Sequence, residues 1–309
     1  MATISGEVRD ENDDLLADCV VRAYGRDTGA LLVAGLSGDG SEEIPADANY
    51  ASVALLLHCD GTDGGTTFTD SSGTPKTVTA SGQAHIETDQ SKFGGASAAF
   101  DGASDYLAVS HARLNLGSGD FTVEGWLRVN NLDNPVGVWF VGTPTLNSNR
   151  IQSDILTTGE LGFYGAAAAA VFNARGTAVL AINTWYHVAF VRSGTDAKIY
   201  VDGSLYASAT ITGEPAAGQN WRIGFARTSS TDRWLNGYWD EVRITPGVAR
   251  YSADFTPPAH AFAEGSAIPA RPLGEYVLTT AYTGEVNVIV LDPDGGTTFN
   301  DLILRTTPI

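Results

Sequence analysis

The residues with the most to offer chemically are acids and aromatics. Asp240 and Glu241 stand side by side in the run Leu235-Asn236-Gly237-Tyr238-Trp239-Asp240-Glu241-Val242-Arg243-Ile244. Two carboxylates can act as acid and base about one scissile bond. Consecutive strand residues point to opposite faces, however, so these two are not expected to flank one. Trp139, Tyr164, Trp221 and Trp234 fall in stretches that read as loops. There an aromatic face can stack on a sugar ring or a partner. The five histidines are scattered, and no HExxH, Walker A or GxSxG string is present. Cys19 and Cys59 each sit in an apolar run and read as buried thiols rather than as a metal or redox pair. The expectation is a chain with no catalytic residues.

Composition narrows the partners. The 309 residues carry a net charge of −18, with 43% hydrophobic and only 17% charged residues and 35 glycines. An acidic surface repels nucleic-acid phosphates and anionic lipid, and it suits hard cations such as Ca²⁺. No apolar run approaches the ~20 residues of a membrane helix, and the start lacks the basic and apolar regions of a signal peptide. The reading is therefore of a protein that contacts neither nucleic acid nor the membrane interior.

The elements that must position these residues are strands. Few charges and many turn residues fit short strands and tight loops. In Phe121–Val129 alternation puts Phe121, Val123, Leu127 and Val129 on one face and Thr122, Glu124, Trp126 and Arg128 on the other. Asp202-Gly203 is a strong two-residue hairpin turn. Ala166 to Ala170 is too short, between Gly165 and Val171-Phe172, to be read as a helix. The same alternation groups Asp240 with Tyr238, Val242 and Ile244, the more apolar side, where a carboxylate needs a partner. DGGTTFTD at 63–70 recurs as DGGTTFND at 294–301, which reads as two turns of similar chemistry rather than a repeat. Each chain end supplies only three or four strands, too few for a domain alone, but the two together supply about seven.

Two resemblances follow from the motifs. ISGEVRDEN (4–12), LADCVVRAY (16–24), RDTGALL (26–32) and SGDG (37–40) resemble a carboxypeptidase-regulatory-like, transthyretin-like β-sandwich. In that family a D-G turn leads shortly into a P-x-G-x-Y strand. Here Asp39-Gly40 stands far from Pro272-Leu273-Gly274-Glu275-Tyr276, as if a second domain were inserted at the turn. Inside the gap, VALLLHCDG (53–61), AAFDGASDYL (98–107), FTVEGWLRV (121–129), TWYHVAFVR (184–192), KIYVDG (198–203) and LNGYWDEVRI (235–244) resemble, in order, a concanavalin A-like, laminin-G-like jelly roll. The expected architecture is all-β: an antiparallel jelly roll over residues 50–263 inserted in a smaller sandwich formed by 1–45 and 265–309.

The second resemblance implies more. In such jelly rolls the acids matching Asp60 and Asp240 often help bind a structural Ca²⁺ beside backbone carbonyls, and Asp70 is placed to add a ligand. Laminin-G-like domains of bacterial viruses occur in tail fibres and similar appendages. That implies a virion surface protein, made in the host cytoplasm and released by lysis. Its partners would be other virion proteins, further copies of itself and a host-surface glycan. The alternatives are a structural baseplate or decoration protein without a host ligand and, less in keeping with the acids present, a glycan hydrolase.

Overall fold

A computed structural model describes residues 47–143, 149–167, 170–177, 180–215, 218–228 and 231–265, together with the backbone of strands near the two chain ends. The chain divides into two compact units, residues 1–46 with 266–309, and residues 47–265. All paired strands are antiparallel, and the only helical pieces among the described residues are two single 3₁₀ turns, Tyr50–Ser52 and Ala112–Leu114.

In the first unit, Ala2–Glu7 pairs with both Glu275–Thr280 and Thr307–Pro308. Val20–Gly25 lies between Leu31–Leu36 and Glu285–Leu291, and Phe299–Arg305 completes that sheet at the far edge of Glu285–Leu291. Each end of the chain thus finds strand partners in the other. Cys19, the Asp39-Gly40 turn, Pro272 to Gly274 and the turns expected at 10–14, 27–29, 283–284 and 294–296 lie outside the described residues.

The second unit is a sandwich of two sheets. One runs, in spatial order, Ala170–Arg175, Leu161–Ala166, Arg150–Ile155, Val136–Gly142, Asn220–Ile223, Tyr106–Ser110, Thr79–Ser81. The other runs Ser204–Thr210, Asp196–Val201, Trp185–Ser193, Phe121–Val129, Asn236–Pro246, Ser97–Asp101, His85–Glu87, with Leu55–Leu57 also pairing with Asn236–Pro246. Period-two alternation turns one row of each strand inward, so the sheets share a dry core. Phe121, Val123, Leu127 and Val129 all belong to it, as their alternation predicts, facing Val141, Ile151, Phe163 and Ile223. Asp202 and Gly203 both have left-handed backbone, φ 47° and 78°, as a two-residue hairpin turn of this hand requires. Ala166 ends one strand and Ala170 begins the next.

The outer face of the second sheet is also covered, because residues 248–263 run across it. Tyr251 and Phe255 pack on Ala189, Val191 and Tyr200. Beneath them Glu124 is wholly buried. Its carboxylate accepts from Arg243 Nε at 3.0 Å and from the Tyr251 hydroxyl at 2.7 Å, with Arg250 Nε 3.5 Å and His187 Nε2 3.4 Å away. Arg243 and Arg250 are shared with Asp47. Burial alone would raise the Glu124 pKa, but Arg243, His187 and Arg250 reverse that and hold it well below the usual carboxylate range. A strand face that would otherwise be solvated becomes a second, ionic interior.

Candidate functional site

Asp60 and Asp240 come together where two strands of the second sheet lose their regularity. Leu55–Leu57 ends just before Cys59, a buried thiol with φ 62°. In Asn236–Pro246 the register against Phe121–Val129 shifts between Asp240 and Arg243, and Glu241 has φ 52°. This bulge corrects the face assigned from alternation. Trp239, Val242 and Ile244 enter the core, while Asp240 pairs with Trp126 outside it. One extra residue in the strand inverts the phase on either side of it.

The outward carboxylate of Asp240 is nonetheless fully buried, because the Lys92–Phe93 segment closes over it. The backbone N–H groups of Lys92 and Phe93 donate to Oδ2 at 2.7 and 3.0 Å, whereas Oδ1 meets no donor. Burial first, then Glu241 and Asp60, push the Asp240 pKa up to about 7. Asp60 is open to solvent as a residue, but its carboxyl is crowded by protein and by Gly94; a Cβ there would lie 2.1 Å from Oδ1. That crowding, then Glu241, raises its pKa to about 6. Glu241 itself is engaged: it accepts from His58 Nδ1 at 2.8 Å and from the Phe262 N–H at 2.8 Å. Against burial, which lowers it, the Glu241 hydrogen bond and charge raise His58 to about 8.

The acid pair fits a hard cation on one direct observation, the buried orphan oxygen of Asp240 beside a second carboxylate. Among the described residues no group of three or more His, Cys, Asp or Glu is arranged to hold a metal, so carbonyl or water oxygens would have to complete any coordination. Asp70 does not belong to the pair. It is buried and saturated, with Oδ1 accepting from the Leu56 and Ser72 N–H groups and Oδ2 from Lys76 N–H and the Ser72 hydroxyl, and with Lys76 Nζ at 3.4 Å. The expected third ligand is instead an anchor whose oxygens pin its loop to the neighbouring strand.

Two of the four candidate aromatics are core residues. Trp139 and Trp221 are each 1% exposed and stack on one another, centroids 5.3 Å apart, inside the sandwich. Neither is in a loop: the stretch from 130 to 149 contains the wholly buried strand Val136–Gly142, and Trp221 lies in Asn220–Ile223. Val141 faces Trp221 across that pair of strands, which puts both tryptophans between sheets. Tyr164 is half-buried on the outer face of the first sheet, with the Arg150 guanidinium 5.1 Å from its ring centroid.

Trp234 remains accessible. It ends the short strand Asp232–Trp234, which pairs with Phe225–Arg227 to form a hairpin. The hairpin joins the outer face of the first sheet: Phe225 packs on Phe140, Gln152 Oε1 accepts from the Arg227 N–H, and Arg233 pairs with Asp154. Trp234 rests on Phe225, centroids 4.8 Å apart, and stacks on Tyr106 at 6.1 Å. Beside it opens a cleft of about 440 Å³ lined by Gly102, Asn134, Thr228, Thr231, Asp232 and Arg233. A flat apolar ring ringed by hydroxyl, amide, carboxylate and guanidinium groups matches the two-sided chemistry of a sugar, whose C–H face is apolar and whose rim is hydroxylated. Sequence reasoning missed Tyr106, because nothing local in its own strand shows that Trp234 stacks on it.

Residues 101–250 match the family described as the concanavalin A-like lectin/glucanases superfamily. A search of curated protein sequences finds no match. Among solved structures, domain 4 of AbnA, an extracellular arabinanase from Geobacillus stearothermophilus in complex with arabinotriose, is similar with a TM-score of 0.50 at 18% identity, over 67% of this chain and 95% of that one. The binding domain of botulinum neurotoxin serotype C1 gives a TM-score of 0.47 at 15% identity, over 63% of this chain and 49% of that one, so this chain spans about half of it. At 18% identity the likeness to the arabinanase domain is one of fold, and with the family match over residues 101–250 that fold is the concanavalin A-like jelly roll.

Proposed function

We propose that this chain is a non-catalytic, glycan-binding component of a virion appendage, and that the Trp234 cleft receives a sugar ring. The observation that carries the reading is the cleft itself: an accessible indole, held rigid by Phe225 and Tyr106, among Asn134, Thr228, Thr231 and Asp232. Rigid aromatic platforms bind at low entropic cost, and neighbouring polar groups orient the ligand. The jelly roll shared with a domain solved in complex with arabinotriose supports a saccharide ligand. The appendage role rests on the resemblance to laminin-G-like domains of bacterial viruses. In this reading the unit built from the two chain ends, a regulatory-like sandwich into which the jelly roll is inserted, attaches to the particle, and further copies or other virion proteins surround it.

The same reading gives Asp60 and Asp240 a Ca²⁺. Its role would be structural, neutralising two acids that otherwise repel each other and tying the Leu55–Leu57 end to the Asn236–Pro246 bulge. Asp240 and Glu241 take no catalytic part: one is sealed beneath Lys92 and Phe93, and the other is occupied by His58 and the Phe262 N–H.

The test is a glycan array probed with the full chain, followed by host adsorption. The Trp234→Ala and Asn134→Ala proteins should lose array binding and host adsorption while still entering particles. Failure of either variant to enter particles, with array binding intact, would make the domain structural and overturn the reading.

A further inference from the structure

On the far side of Tyr106 from Trp234, the outer face of the first sheet sinks into a second cleft of about 470 Å³. The cause is local. Thr79, Ala108, Arg222 and Phe140 stand in register across four adjacent strands. Ala108, flanked in its own strand by Tyr106 and Ser110, is too small to fill the row, so the sheet is open there.

What lines the opening is unusual for this chain. The protein has 36 acidic residues against 18 basic ones, yet no Asp or Glu lines this cleft, and its one charged group is Arg222. Arg222 is half-buried, with its guanidinium 4.6 Å from the Tyr106 centroid and 5.0 Å from that of Phe225. Among the described residues no carboxylate pairs with it. Other arginines on this face and its hairpin are compensated: Arg175 and Arg233 by Asp154, Arg227 by Asp232. Next to Arg222, Asn220 is exposed, and its Oδ1 takes the Ser110 hydroxyl at 2.7 Å, which leaves the amide nitrogen free to donate into the cleft. The Thr79 hydroxyl stands opposite.

A guanidinium fixed against two rings, with an amide donor beside it and no acid near, is built to receive an oxyanion. Arginine offers paired parallel N–H groups that match a carboxylate, and the aromatic contacts preset its plane. The Trp234 cleft adjoins through the Tyr106–Trp234 stack. Resting on the glycan reading above, we infer that the Arg222 cleft is a second subsite of the same ligand and takes the carboxylate of an acidic sugar. A saccharide would lie across this face with a neutral ring on Trp234 and an acidic residue between Tyr106, Arg222 and Asn220. The chain's overall acidity then works as a filter, because polyanions without a properly spaced sugar are repelled elsewhere.

The experiment compares the full chain with its Arg222→Gln form on an array holding acidic glycans, their methyl esters and their neutral parents. The glycans retained by the wild type should carry a carboxylate. Esterification, or Arg222→Gln, should lower affinity by about ten- to a hundredfold, the usual worth of a hydrogen-bonded charge. Added salt should weaken the wild type and leave Arg222→Gln nearly unaffected. The methyl-ester arm needs no variant and so decides the matter even if Arg222→Gln folds poorly. Retention of neutral glycans only, or of esters and acids alike, would overturn the acidic subsite while leaving the glycan reading in place. Retention of no glycan at all would remove both.

Discussion

The Tyr106 and Trp234 rings stack with centroids 6.1 Å apart and 25° between planes, although one belongs to an inner strand of the first sheet and the other to a hairpin folded over that sheet. The contact fixes the hairpin, leaves the indole accessible at a cleft, and separates that cleft from the one holding Arg222.

The tryptophans should divide cleanly by role. Trp139 is wholly buried between the sheets, so Trp139→Ala should cost about 3–5 kcal/mol of stability through lost burial and the cavity left behind. Trp234 is half-buried, and its truncation should cost roughly half as much while removing glycan binding. Denaturant melts of both variants, with array binding of Trp234→Ala, check this. Equal destabilisation by the two would mean that Trp234 is a packing residue.

Removal of divalent cations should separate Asp240 from Asp70. With Ca²⁺ present the melting temperature should rise, and EDTA should reverse the rise. Asp240→Asn should abolish that sensitivity, since it removes a charge that only a cation would offset. Asp70→Ala should instead destabilise by about 3 kcal/mol or more whether or not Ca²⁺ is present, because it orphans several buried donors. A melt indifferent to EDTA would argue against the cation.

Acid should act through Glu124. Its folded pKa lies below the ordinary value of 4.5, lowered against burial by Arg243, His187 and Arg250. A depressed carboxylate contributes stability that is fully present above its unfolded pKa and is lost as pH falls through the folded one. The wild type should therefore hold its stability down to about pH 5 and lose it progressively below about pH 4.5. Glu124→Gln should be less stable at neutral pH by about 3 kcal/mol, because Asp47 alone would then balance the two buried arginines. Its stability should also fall less steeply below about pH 4.5. Parallel acid unfolding curves for the two proteins would remove Glu124 from the account.

The amino-acid sequence by itself determined the class of fold and the local details that depend on near neighbours. Alternation named the face of Phe121–Val129 that enters the core between the sheets, because side chains on a strand change sides at every residue. Asp202-Gly203 specified its turn because few residue pairs accept left-handed backbone in succession. Other features were decided only when strands distant in the chain were laid side by side. The bulge at Asp240 and Glu241 reverses the alternation that locates them, and only the register against Phe121–Val129 reveals it. Trp139 and Trp221 looked like loop aromatics because the glycines, prolines and polar residues around them mark turns; the layering of two sheets makes them core. Asp70 became a structural anchor through the Leu56 N–H of another strand. Arg222 acquired a cleft because Ala108 leaves a gap beside Tyr106, and a gap belongs to the packing of several strands rather than to the pattern of any one.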